Sequence, residues 1–310
     1  MSPTPQTRGI DAAWSFARYE QIRHRLPRAQ FPRISRKADN LAALMEDFDV
    51  FLLDAFGVLN VGESAIPGAP ERIRQLREKG KTLFVLTNAA TLSSRKGPEK
   101  YRKFGFQFSL NEIISSRDLL ISALADYPAG MIWGVAAPPV SNIEELAPGT
   151  ALLSKESRVF DEADGFIFLS SQDWSFDLQD RMAQALKTRA RPLLVGNPDL
   201  VAPRENGLSR EPGHFAHEIA DKTGISPLFY GKPFANAFEE ARKRLYAQGI
   251  TCPPERIAMV GDTLHTDILG GAAAGIKTIL VTAHGLYKGQ DITPYLDTSK
   301  IIPDYIIPEI

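Results

Sequence analysis

The sequence predicts an α/β fold: a doubly wound, mostly parallel sheet with a second α/β unit inserted into it. Three observations carry this expectation. A strand, helix, strand pattern occupies residues 49–87, the same alternation returns over 226–282, and the segment between, 118–226, has strands and a helix of its own. With 310 residues, the chain also exceeds the roughly 100 to 200 residues of an ordinary domain, so two domains are expected.

Residues 1–45 precede the pattern and read as a basic, helical extension. From Met1 to Lys37 there are eight basic residues, beginning with Arg8, against two acidic ones, Asp11 and Glu20. An Arg-rich transit peptide is one reading; a solvated helix around Ala12 to Arg25 is preferred. Trp14, Phe16, Tyr19 and Ile22 are available for docking, but they spread too widely around a 3.6-residue turn to make a clean stripe.

The main sheet is expected from residues 46–117 and 227–310. Asp49 to Asp54 is an apolar run suited to a buried strand, Ala69 to Lys79 is a helix entered through Pro67-Gly68 and closed by Gly80, and Lys81 to Thr87 is the next strand. A helix punctuated this way is the right-handed crossover between parallel strands. The insertion, 118–226, shows strands at Met131 to Ala136, Gly165 to Leu169 and Pro192 to Gly196, and a helix at Phe176 to Arg189. Pro138-Pro139 and Ala202 to Pro212 read as loops. The return runs through a strand at Ser226 to Tyr230, a helix at Ala235 to Gln248, a strand at Arg256 to Gly261, a helix at Asp267 to Ala274 and a strand at Lys277 to Thr282.

A net charge of -1 gives no field to attract nucleic acid or an anionic membrane, which leaves small-molecule chemistry as the open class. The single cysteine, Cys252, excludes an internal disulfide, and no apolar run of about 18 residues or signal-like stretch is present. A cytoplasmic protein is expected.

Four features fall where strands end, the place where open α/β sheets bind ligands. They are Asp54, Thr87-Asn88, Lys232, and the pair Asp262 and Asp267. Singly, each has an ordinary explanation as a turn, a helix cap or an exposed lysine. Together they are far more specific. Asp54 followed by Phe56-Gly57 suits a carboxylate nucleophile beside backbone N–H donors, Lys232 can neutralise a phosphate, and two further carboxylates make the hard-oxygen pocket that magnesium accepts. His265 reads as a solvated loop residue, since neither cysteine nor a second histidine nearby completes a metal or nucleophile set.

These motifs, DAFGVL, LTN, GKP and GDTLHTD in that order, resemble those of the haloacid dehalogenase (HAD) superfamily, most of whose members are phosphatases. The insertion between the second and third motifs, the triplet Asn197-Pro198-Asp199 and the wording GDTLHTDI resemble its class IIA, which includes nitrophenyl-phosphatase-like and sugar-phosphate phosphatases. The resemblance covers about residues 46 to 290 and leaves 1–45 outside. It implies a Rossmann-like core with an inserted α/β cap, and a magnesium-dependent phosphatase acting on a small phosphorylated metabolite through an aspartyl-phosphate on Asp54. Thr87, Asn88 and Lys232 are then expected to hold the phosphoryl oxygens, helped by the amides at Phe56 and Gly57. Asp54, Asp262 and the main-chain carbonyl of Phe56 are expected to hold Mg2+, with Asp267 orienting its ligands and Asn197 and Asp199 facing the substrate from the cap. A homodimer is a further expectation by resemblance.

One position departs from the pattern. Family phosphatases carry a second aspartate two residues after the nucleophile, as proton donor and then acceptor, and here that residue is Phe56. General acid catalysis is typically worth ~100-fold to 10,000-fold, or about 3 to 5 kcal/mol. A slow or specialised phosphatase is therefore expected, with two alternatives: a metal-independent dehalogenase, suggested by DAFGVL but opposed by Asp262, and a non-catalytic phosphometabolite-binding protein.

Overall fold

The computed structural model describes residues 9–155, 158–204 and 207–310; Arg8 and the centre of the stretch from Ala202 to Pro212 lie outside them. Among the described residues, seven parallel strands form the main sheet in the order Arg36–Lys37, Tyr305–Ile307, Lys277–Val281, Ile257–Gly261, Val50–Leu53, Thr82–Thr87, Ile113–Ser115. The predicted α/β architecture is present. Strand Val50–Leu53 is buried on both faces, which is why it reads as an unbroken apolar run. Its side chains alternate: Phe51 and Leu53 pack toward Ile73 and Leu76 of helix Ala69–Glu78, Val50 and Leu52 toward Phe238 and Leu245 of helix Ala235–Ala247. Helices thus cover both sides.

A second parallel sheet has the order Leu228–Phe229, Leu193–Val195, Gly165–Phe168, Trp133–Ala136, Thr150–Leu152. Two of its edges differ from expectation. Thr150–Leu152 went unread because it is short and half-buried, without an apolar run. The strand expected at Ser226 to Tyr230 is only Leu228–Phe229, and it pairs with Leu193–Val195 rather than with the main sheet; Tyr230 N donates to Val195 O at 2.9 Å. The stretch Ala202 to Pro212, expected as a loop, contains an antiparallel pair, Val201–Arg204 with Gly207–Arg210. Pro203 masks it, since proline is rare inside paired strands.

The N-terminal helix, Ala12–Gln21, is capped by Asp11, whose side chain accepts from Trp14 N at 2.7 Å. It is not the solvated helix expected. Phe16, Tyr19 and Ile22 are buried in one cluster with Leu200 and Val201 on one side and Leu264 and Ile268 on the other. A helix wedged between two bodies buries more than one face, so its apolar positions spread around the turn. Arg18 and Arg25 both reach Asp221, at 3.0 and 2.7 Å, on helix Pro212–Thr223. No helix among the described residues is long and apolar enough to cross a membrane.

Candidate active site

The sheet order reverses about Val50–Leu53, whose neighbours are Ile257–Gly261 on one side and Thr82–Thr87 on the other. The crevice at such a reversal is where doubly wound sheets place ligands. Asp54 follows that central strand, its N–H donating to Val260 O at 2.9 Å, so its carboxylate stands between the tips carrying Thr87-Asn88 and Asp262. These features line one cavity of about 230 Å³, together with Phe56, Asn197, Asp199, Glu211, Thr263 and Thr266.

Lys232 ties the site together. Its ammonium lies 2.6 Å from Asp54 Oδ1 and 2.7 Å from Asp267 Oδ1, and only 3% of its side chain is exposed. The exposed-loop alternative for this lysine is therefore wrong: GKPF turns it inward. Burial alone would lower its pKa, but Asp267, Asp54 and Asp199 outweigh that and hold it above the usual lysine value. Burial pushes Asp54 up to about 7, with Lys232 opposing and Asp267 assisting. Asp262 is likewise raised by burial and by the neighbouring carboxylates Asp267 and Asp54.

Asp54, Asp262 and Asp267 bring carboxylate oxygens within 4.8 Å of one another. Local backbone allows this closeness. Gly57, at φ +78°, passes so near Asp262 that a Cβ there would lie 2.7 Å from its carboxylate carbon, and one at Gly261 would lie 2.1 Å from that of Asp267. Asp262 accepts from Thr263 Oγ1 at 2.9 Å and Leu286 N at 2.7 Å; the other oxygen of Asp267 accepts from Thr263 N at 3.0 Å. With three carboxylates against one ammonium, the cluster is short of positive charge, and the all-oxygen donor set fits a hard divalent cation.

Two expected phosphate contacts are engaged otherwise. Asn88 donates through Nδ2 to Asp199 Oδ1 at 2.8 Å and to Lys232 O at 2.9 Å, while its Oδ1 accepts from Lys232 N at 2.8 Å. Its side chain is a brace between the main sheet and the Asn197-Pro198-Asp199 triplet. The Gly57 amide donates to Asn60 O at 2.9 Å, and the Ala55 amide to Asp54 Oδ1 at 2.7 Å. Thr87 Oγ1 lies at the cavity wall and accepts from Ala89 N at 3.2 Å. Phe56 is part of the wall as well, with Lys100 Nζ 5.4 Å from its ring centre.

On the opposite wall, Asn197 Oδ1 accepts from Asp199 N at 3.0 Å and its amide donates to Glu211 Oε2 at 3.3 Å; Ser209 Oγ donates to Glu211 Oε1 at 2.6 Å. Sequence reasoning missed Glu211. It also misplaced His265, which is fully buried, stacked on Tyr19 at 4.8 Å and 2.6 Å from Glu20 Oε1. The partner lies in the N-terminal helix, 245 residues away, so nothing local announces it. Arg117, fully buried after strand Ile113–Ser115, was missed too; it donates to Ala90 O and Thr91 O, both at 3.3 Å, and to Asn142 O at 2.9 Å, pinning the segment after Asn88.

Residues 51–145 match a family model described as haloacid dehalogenase-like hydrolase, and residues 229–310 match a second, HAD-hydrolase-like one. The chain is 30% identical to the glycerol-3-phosphate phosphatase of Homo sapiens over 301 residues, which is 88% of this chain and 92% of that one. A solved structure of a possible HAD-superfamily sugar phosphatase from Cytophaga hutchinsonii aligns with a TM-score of 0.78 at 25% identity, over 89% of this chain and 98% of that one. A p-nitrophenyl phosphatase from Archaeoglobus fulgidus aligns with a TM-score of 0.69, also at 25% identity, over 85% and 97%.

Proposed function

The chain belongs to the haloacid dehalogenase-like hydrolases, and from that premise we propose that it is a magnesium-dependent phosphatase of small phosphorylated metabolites. The observation that carries this reading is the buried cluster in which one ammonium, Lys232, faces the carboxylates Asp54 and Asp267 beside Asp262. Such a group is costly to bury for packing alone, and it sits at the crevice where ligands enter. The phosphatase names of the relatives support the same chemistry.

In this reading Asp54 is the nucleophile and carries the phosphoryl group between two displacement steps. Lys232 holds the carboxylate in position and neutralises the incoming phosphoryl oxygens, joined by Thr87 Oγ1. Asp54, Asp262 and the Phe56 carbonyl hold the cation, which supplies charge neutralisation between nucleophile and phosphate. Asp267, with both oxygens engaged, orients Lys232 and the Thr263 backbone. Asn88 acts on phosphate only indirectly, by fixing the Lys232 peptide. The unit built on the second sheet closes the cavity as a cap. Hydrolysis of p-nitrophenyl phosphate that requires magnesium and vanishes in Asp54→Asn is the expected result. A purified, folded protein inert toward a broad phosphate panel with and without magnesium would leave the non-catalytic binding reading instead, and metal-independent halide release from a haloalkanoate would favour the dehalogenase one.

A further inference from the structure

Phe56 has no proton to give, yet a carboxyl group stands in the same cavity from the opposite wall. Asp199 is half-buried there, with Oδ1 held by Asn88 Nδ2 at 2.8 Å. Its own N–H is fixed to Asn197 Oδ1 at 3.0 Å, and the next amide, Leu200 N, donates to the Tyr19 hydroxyl at 3.1 Å. The strand tip at Asn88 therefore holds the carboxyl group, while the triplet itself and the N-terminal helix hold the backbone that carries it. Since Oδ1 accepts from Asn88, an acidic proton on this group resides on Oδ2.

We propose, resting on the phosphatase reading above, that Asp199 is the proton donor and acceptor of this enzyme, doing from the cap side what Phe56 cannot do beside the nucleophile. In the first step the Asp54 carboxylate attacks phosphorus, the phosphorus–oxygen bond to the leaving group breaks, and the Asp199 proton passes to the departing oxygen. In the second, water attacks the same phosphorus, the bond to Asp54 breaks, and the water's proton returns to Asp199. Phosphate leaves, and both carboxyl groups return to their starting states.

The surroundings suit that task. Burial pushes Asp199 up to about 8; Lys232 and the Asn88 bond pull it down, and Asp54 and Asp267 push it further up. Tyr19, from the N-terminal helix, is the other titratable group facing it and stays a neutral phenol, its own pKa raised by burial and by Asp199. A carboxyl group protonated near neutrality is what a donor to an alkoxide needs. The other carboxylates of the cavity are less suited: Glu211 is held by Ser209 and Asn197, and Glu63 is exposed.

Leaving-group dependence tests the assignment. An alkoxide needs its proton and a nitrophenolate does not, so Asp199→Asn is expected to lower kcat/KM for glycerol 3-phosphate by ~100-fold or more, and for p-nitrophenyl phosphate by less than ~10-fold. The limb of the kcat pH profile that reports a required acid should disappear with it. Asp199→Glu keeps a carboxyl group and should retain more alkyl activity than the asparagine variant, which separates loss of the proton from loss of the fold. Adding Phe56→Asp to Asp199→Asn should recover the alkyl substrate. Equal losses on both substrates would overturn the proposal and make Asp199 a brace for Asn88. A wild-type protein that hydrolyses the aryl but not the alkyl ester would overturn it too, while leaving the phosphatase reading intact. No turnover of either ester, with magnesium present, would end both.

Discussion

The two walls of the cavity are built differently. On one side, Lys232 holds Asp54 and Asp267 directly at 2.6 and 2.7 Å; the two carboxylates follow strands of the main sheet, and the lysine lies between the edge strand Leu228–Phe229 and helix Ala235–Ala247. On the other side, Asn197, Asp199 and Glu211 are held by hydrogen bonds among neighbouring polar groups and by partners from elsewhere, Asn88 from the main sheet and Tyr19 beneath Leu200. The first wall carries charge that must be compensated; the positions of the polar groups on the second depend on how the two sheets are joined. Substitutions should therefore abolish function on the first wall and retune it on the second.

The largest effect belongs to the first wall. Asp54→Asn removes the nucleophile and should lower kcat by a factor on the order of 10⁴ or more, read by phosphate release at saturating substrate. Lys232→Met leaves Asp54 and Asp267 buried without their cation, which should cost about 3 to 5 kcal/mol in urea unfolding, because an unpaired buried charge is worse than either a pair or none. Added magnesium should return part of that loss, since it binds only the folded cluster. Full stability of this variant without metal would show that the wall is less charged than its geometry implies.

The second wall is tested through its supports. His217, on helix Pro212–Thr223, is 1% exposed and stacked on Phe229, and burial, helped by Arg25 and Arg18, lowers it from 6.5 to about 3. His214 also opposes its charge, and Asp221 favours it. Its folded value is depressed, so below pH 6.5 the unfolded chain takes up a proton that the folded one refuses. The contribution of His217 to stability should fall by about 1.4 kcal/mol for each pH unit between about 6.5 and about 3, while Asp54 and Asp199, whose values are raised, contribute in the opposite sense. His217→Gln should flatten that part of the melting profile; an unchanged slope would assign the acid sensitivity elsewhere. Tyr19→Phe leaves the Leu200 amide without its acceptor and should cost about 1 to 3 kcal/mol, with a rise in KM that the same loss of stability on the outer face of a helix would not produce. Arg18→Ala breaks a pair with the half-exposed Asp221 and should cost less than about 1 kcal/mol.

The same contrast governs what could be read from the sequence. Asp54, Thr87, Asn88, Asp262 and Asp267 were legible because strand periodicity and flanking glycines place them at strand tips, and strand tips of a parallel sheet converge by topology; Lys232 was legible from GKP, although the strand before it belongs to the second sheet. Asn88 was legible in place but not in its partners: spacing tells where an amide sits, not which neighbour takes its hydrogen bonds. The second sheet was legible as a sheet, but its edge strands, Thr150–Leu152 and Leu228–Phe229, are too short to carry a period. Tyr19, His265 and Arg117 escaped because their meaning lies in contacts with distant segments. A buried histidine and a loop histidine look alike until the helix that covers one is in view.

That covering helix also sets an order of events in synthesis. Tyr19 and Glu20 find their partners 181 and 245 residues later in the chain. At about 5 to 20 residues per second, the N-terminal helix leaves the ribosome tens of seconds before His265 exists. Until then Phe16, Tyr19 and Ile22 lack the part of their cover that Leu264 and Ile268 supply, and a 10-residue helix is marginal alone in water. A late long-range closure of the molecule is thus made by one of its first segments, and an affinity tag fused there would act on the seam between the two sheets.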